Sequence, residues 1–105
     1  MEEKSVIDAL GALAQEMRLN IVRYLIGKGS EGASAGDIAR AMGAISSKTS
    51  FHLSTLEHAG LVSSQRQSRK IIYRANLDTL GGVISFVLND CCAAHPDIRA
   101  CCELP

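Results

Sequence analysis

All four cysteines of this 105-residue chain stand beyond residue 90, as two adjacent pairs, Cys91-Cys92 and Cys101-Cys102. A hydrophobic core would scatter cysteines among other small apolar residues, so the clustering marks a site. Thiolates are soft ligands and select soft acceptors, thiophilic metals and metalloids among them. His95, Asp97 and Glu103 lie among the thiols and add nitrogen and oxygen donors that zinc or cadmium would accept. Structural zinc sites usually space paired cysteines by about two to four residues, so directly adjacent thiols suit that metal less well. A third chemistry is redox: a thiol of one pair can join one of the other under oxidants or reactive sulfur.

A second constellation offers hydrogen bonds and positive charge. Ser46, Ser47, Lys48 and Ser50 open a segment that runs through His52 to Ala59 and is closed by Gly60. Short hydroxyls allow close approach to another surface, and Lys48 can reach a guanine edge or a phosphate. These polar residues are mediocre helix formers, so helix stability alone does not account for them. His52 fits either a surface contact or a satisfied structural histidine. Further on, Arg66, Arg69 and Lys70 surround a turn and suit backbone phosphates, which give position and affinity but little sequence information.

The elements that must position these residues follow from periodicity and capping. Val6, Leu10 and Leu13 predict a first helix over residues 3–15; Leu19, Val22, Leu25 and Ile26 predict a second, ending at Gly27-Lys28-Gly29. Ser30 to Ala33 is a small polar loop. Ser34 is the expected N-cap of a short helix through Ile38, Ala39 and Met42, with Asp37 as an acidic variant of the capping box and Gly43 as the stop. The helix beginning at Ser46 should bury Leu53 and Leu56. Leu61-Val62 and Lys70 to Arg74 read as two strands, with Ser63 to Arg69 as the tip and Gln67-Ser68 turning. Asp78 is the expected cap of a last helix carrying Leu80, Val83, Ile84, Val87 and Leu88 up to the first cysteine pair, and Pro96 keeps that helix from continuing. Two short helices joined around Gly43, the second opening with hydroxyls and a lysine, form a helix-turn-helix whose recognition helix would meet base edges in the major groove.

Composition bounds the rest. A chain of 105 residues with 47% hydrophobic and 21% charged residues is one folded domain. At that size a dimer would help bury apolar surface. Aromatic content of 4%, with no Trp, argues against a stacking platform or sugar cleft. No stretch is apolar enough to span a membrane, and Met1-Glu2-Glu3-Lys4 lacks the order of a secretory signal, so a cytoplasmic setting with reduced thiols is expected. The net charge is zero, but its distribution is not even. Residues 48–74 carry Lys48, Arg66, Arg69, Lys70 and Arg74 against Glu57, whereas residues 75–105 carry Asp78, Asp90, Asp97 and Glu103 against Arg99. One basic, DNA-facing surface and one acidic surface turned away fit this pattern. No nucleophile elbow, glycine-rich phosphate loop or acid pair frames the histidines and cysteines, so an enzyme is not expected. A protein-interaction module remains the other class, separable by nanomolar sequence-specific DNA binding.

In order and spacing, four strings resemble the ArsR/SmtB winged-helix metalloregulators over residues 6–92. They are Met17 to Val22; Asp37-Ile38-Ala39; Ser50-Phe51-His52-Leu53 through Leu56 and on to Ala59-Gly60-Leu61-Val62; and Arg66 with Ile72-Tyr73-Arg74. The chain departs from the family with Phe51 in place of a frequent histidine, Glu16 near a frequent proline, and no glycine in the wing. The resemblance implies a mainly α fold with a β-hairpin and a homodimer formed through its first and last helices. It also implies a repressor that leaves operator DNA when an inducer binds. Residues 1–92 would form the DNA-binding and dimerisation domain and residues 93–105 a cysteine-bearing tail.

Family arsenite sites around the start of the third helix need thiols that Ala33 to Asp37 lacks. The alternative arrangement, a vicinal pair ending the last helix plus a cysteine beyond, fits Cys91-Cys92 with Cys101 or Cys102. It implies As(III) or Sb(III) held by three thiolates, the third delivered by a flexible return loop, and no organic cofactor. Zinc-sensing relatives place spaced His and Asp ligands on the last helix, a set missing here. Redox or reactive-sulfur response and zinc or cadmium response stay open as alternatives.

Overall fold

The computed structural model describes residues 1–102. Helix α1 spans Glu3–Leu13, α2 Glu16–Lys28, α3 Ala35–Met42, α4 Ser46–His58 and α5 Leu77–Ser85. A single 3-10 turn, Gly29–Glu31, precedes strand β1, Ala33–Ser34. Strands β2, Val62–Gln67, and β3, Lys70–Ala75, form an antiparallel hairpin, and β1 pairs with the other edge of β3, giving the order β1-β3-β2. This is the winged helix-turn-helix expected from the sequence, with one strand more.

Strand β1 was hidden from sequence reasoning because two residues carry no periodicity. It depends on Gly32, whose φ is 64° and whose missing Cβ would stand 2.4 Å from the Tyr73 carbonyl oxygen. Only glycine lets β1 come this close to β3.

The core is shared by every helix from α1 to α5 and by the base of the hairpin. Val6, Ala9 and Ala12 of α1 pack with Ile21, Val22 and Leu25 of α2, Ile38 of α3, Leu53 and Leu56 of α4, Leu61, Val62 and Val83. The buried stripe of α1 differs from the expected Val6-Leu10-Leu13. Small Ala9 and Ala12 take the inner positions, and Leu10 is exposed. Leu19 and Ile26, expected on the core face of α2, are also exposed, while Ile21 is fully buried.

Caps mark most helix ends, and not always the expected ones. The Ser34 hydroxyl accepts the Asp37 amide at 3.2 Å, as predicted for α3. Helix α1 stops at Leu13, and Gln15 caps α2 by accepting the Arg18 amide at 2.8 Å. At α5 the cap is Asn76, whose side chain accepts from Thr79, and Asp78 stands in the first turn instead. An amide side chain one position before the helix outcompetes a carboxylate already inside it.

Candidate functional site

Helices α3 and α4 are joined by a tight turn at Gly43. Its φ of 63° places it in the left-handed region, and the Ala44 amide reaches back to the Ala39 carbonyl at 3.0 Å while the Gly43 amide reaches Arg40 at 3.2 Å. That double bond pattern is a Schellman ending, and it aims the chain into α4. Thr49, His52, Leu53 and Leu56 form the buried face of α4. The opposite stripe, spaced by four, three and four residues, is Ser47, Phe51, Ser54 and His58, all exposed. Ser46, Lys48 and Ser50 flank it and are exposed as well. The N-cap position of α4 is Ile45, with no side-chain hydrogen bond, so the first amides of the helix are not capped by a side chain.

His52 lies away from this surface. It is 7% exposed, and its Nδ1 accepts from the Arg18 guanidinium at 3.2 Å. The same guanidinium donates through Nε to the Ala12 carbonyl at 2.7 Å, so one side chain ties the end of α1 to α4. Burial above all, helped by the positive charges of Arg18 and Lys48, holds the His52 pKa below its ordinary value. Of its two expected roles, His52 therefore takes the structural one. A contact 34 residues apart in sequence leaves no local trace from which to read it.

The wing is longer and tighter than expected. Ser63 to Gln67, anticipated as a hairpin tip, continues as strand in register with β3, and Ser68-Arg69 forms the two-residue turn in place of Gln67-Ser68. Ser68 has a φ of 58°, the demand that glycine usually meets. Arg66, Arg69 and Lys70 are all exposed. Arg66 is paired with Ile71 and Gln67 with Lys70, so alternation sends Arg66 and Lys70 to opposite faces of the ribbon. The base of the wing is fixed to α4 by the Ser64 hydroxyl, which donates to the Glu57 carboxylate at 2.6 Å. Arg74 is committed to structure, donating to the Ser30 carbonyl at 2.7 Å and to Gln65 at 2.9 Å.

At the far end of the chain, α5 widens into a π-helical segment, Phe86–Cys91. Cys92 ends it, and Ala93 and Ala94, with φ of 51° and 52°, reverse the chain. Where a flexible loop was expected, a short helix α6, Pro96–Cys102, brings the second pair back. His95 caps it, its Nδ1 accepting the Asp97 amide at 3.2 Å. All four thiols are free; Cys91, Cys101 and Cys102 are exposed and Cys92 half-buried. The Cys92 pKa is raised, first by its hydrogen bond with Cys91, then by burial and the charges of Cys91 and Cys102. The Cys101 thiol is turned to the Asp97 carbonyl at 3.3 Å. Among the described residues no three His, Cys, Asp or Glu side chains are already grouped to hold a metal, and Glu103 lies outside those residues.

Comparison with known proteins agrees with this geometry. Residues 13–65 match the model of a helix-turn-helix domain family. The chain is 35% identical over 83 residues, 79% of its length and 82% of the relative's, to the HTH-type transcriptional regulator YgaV of Escherichia coli strain K12. An ArsR-like transcriptional regulator from Rhodococcus sp. RHA1 superposes with a TM-score of 0.75 at 26% identity, covering 93% of this chain and 88% of that one. The homodimeric winged helix-turn-helix DNA-binding domain of Mb0332 from Mycobacterium bovis, a possible ArsR-family regulator, gives 0.67 at 27% identity, covering 88% and 85%.

Proposed function

Given that the chain belongs to the winged helix-turn-helix transcriptional regulators of the ArsR type, we propose that it is a homodimeric repressor released from its operator when As(III) or Sb(III) binds the C-terminal thiols. The DNA-binding half of the reading is supported by the outward face of α4, where Ser46, Ser47, Lys48 and Ser50 stand exposed beside a wing bearing Arg66, Arg69 and Lys70. In a dimer the two α4 helices enter successive major grooves, about 34–36 Å apart. The exposed apolar residues of the packed α1 and α5, Ile7, Leu10 and Ile84, supply the self-complementary surface that a two-fold dimer requires.

The sensing half is supported by the placement of four free thiols on either side of one chain reversal: Cys91 and Cys92 end the π-helical segment, Ala93 and Ala94 turn the chain, and α6 carries Cys101 and Cys102. Three thiolates are the donor set that a trivalent metalloid takes, so the residues fit the ligand in kind. Because three donors are not already gathered among the described residues, binding must draw α6 toward the first pair. The two left-handed alanines provide the strained joint for that movement. Since α5 carries part of the proposed interface and runs directly into the π-helical segment that ends at the first cysteine pair, ligation there biases the dimer toward a form that fits DNA poorly. Coupling of this kind is typically about 1–3 kcal/mol, and it is reciprocal: DNA must weaken metalloid binding by the same factor.

The test is fluorescence anisotropy of the reduced protein on promoter DNA, at fixed salt, during titration with arsenite, with zinc and a thiol oxidant as parallel arms. Release near stoichiometric arsenite, abolished in Cys91→Ser/Cys92→Ser with its DNA affinity kept, is the expected result. Arsenite-induced release that survives the double substitution would sink the assignment, and release by zinc or oxidant alone would move it to those inducers.

A further inference from the structure

Among the described residues, six of the eleven exposed large apolar side chains fall on α1, α2 and α5, and Ile7, Leu10 and Ile84 lie on the proposed dimer surface. Phe51 does not belong to that group. Its ring is 65% exposed at the middle of the outward stripe of α4, one turn from Ser47 and one from Ser54, and flanked by Lys48 and Ser50. Leaving an aromatic ring in water on an otherwise polar face forgoes the burial that stabilises such side chains elsewhere. The ring is also held. It meets the His52 ring edge-on, with centroids 5.6 Å apart and planes at 70°, and His52 is itself fixed by Arg18.

We infer that Phe51 reads a thymine in each operator half-site through the thymine 5-methyl group. The inference rests on α4 being the helix that enters the major groove. Phe51 has no donor or acceptor, so it cannot discriminate among base edges by hydrogen bonding. On the major-groove edge the one apolar group is the thymine methyl, and an aromatic side chain is one of the contacts that recognises it. Serines on either side allow the helix to approach closely enough for the ring to touch a base. Contact removes both the ring and the methyl from water, and the aromatic brace from His52 limits the rotamer freedom lost on binding. Phe51 is then a specificity residue, set among hydroxyls and a lysine that supply polar contacts and position.

Thymine and deoxyuridine differ only in that methyl, which allows a direct test. A duplex is selected from a randomised pool by the full-length reduced wild-type chain, and each thymine is then replaced singly by deoxyuridine. At one symmetry-related position the wild type should lose about fourfold in affinity per half-site altered, the size of one methyl group removed from contact. Phe51→Ala should bind the two duplexes alike, and Phe51→Leu should keep part of the difference. Should every thymine tolerate the change within about twofold, or should Phe51→Ala show the same loss as wild type, the inference is overturned while the groove-binding reading stands. Failure of the wild type to select any sequence would overturn the groove-binding reading and this inference with it.

Discussion

His52 and Arg18 show how one residue pair ties the DNA-facing helix to the scaffold. Arg18 can only donate, so the Nδ1 of His52 must accept and the neutral ring carries its proton on Nε2. Protonation would place two cations together in a largely buried site. The folded-state pKa of His52 lies below the ordinary 6.5, so the unfolded chain binds the proton first. Stability from this group is therefore complete above about pH 6.5 and is lost as pH falls from there through the depressed folded value. Thermal unfolding between neutral pH and about pH 5 should show the wild type losing more stability than His52→Gln, which has no ring to titrate. Parallel curves for the two proteins would contradict this. Direct DNA contact by His52 is not needed for the substitution to weaken operator binding, because the ring also braces Phe51.

At the scale of the element, the wing turns on a residue poorly suited to its conformation. Ser68 holds a φ of 58° in a two-residue turn, where a side chain costs roughly 1–2 kcal/mol relative to glycine. Glycine gives back part of this through the greater freedom of the unfolded chain. Ser68→Gly should stabilise the protein by up to about 1 kcal/mol, a rise of a few degrees in Tm, without altering the strands. Calorimetry checks it, and a fall in Tm would mean that the serine side chain does more than fill the turn. The caps of α3 were legible from the sequence because Ser34 and Gly43 act on neighbours three to five residues away. The length of β2 was not. Its polar residues look like a loop, and pairing with β3, which is decided across the hairpin, makes them a strand.

For the whole molecule, size and surface both point to partnership. The radius of gyration is 14.9 Å, against about 13 Å for a compact domain of this length. Helices α1 and α5 leave Ile7 61% and Ile84 59% exposed beside Leu10. Leu10 is exposed and stands outside the buried core cluster, so Leu10→Asp should leave the far-UV CD spectrum unchanged while driving the protein to monomer in sedimentation. Each copy would lose about 1 kcal/mol of burial, since Leu10 is 43% exposed in the protomer, and gain a desolvated charge. Operator affinity should fall with the dimer, since each half-site alone carries only part of the contacts. A dimer that persists in the variant would place the interface elsewhere.

By itself, the sequence determined the order of helices α1 to α5 and of the two hairpin strands, the helix-turn-helix around Gly43, the polar opening of α4 and the concentration of thiols at one end. These properties depend on composition, short-range periodicity and capping, all of which act within a few residues. Only the tertiary structure decided that Ala9 and Ala12 are buried while Leu10 is left exposed, that His52 turns to Arg18, and that Phe51 faces out. It also decided that the chain reverses at Ala93 and Ala94 into α6, which carries the second thiol pair. Each of these outcomes rests on which distant segments pack together. A helical residue can point to any side of its helix until packing against distant segments establishes which side is the core.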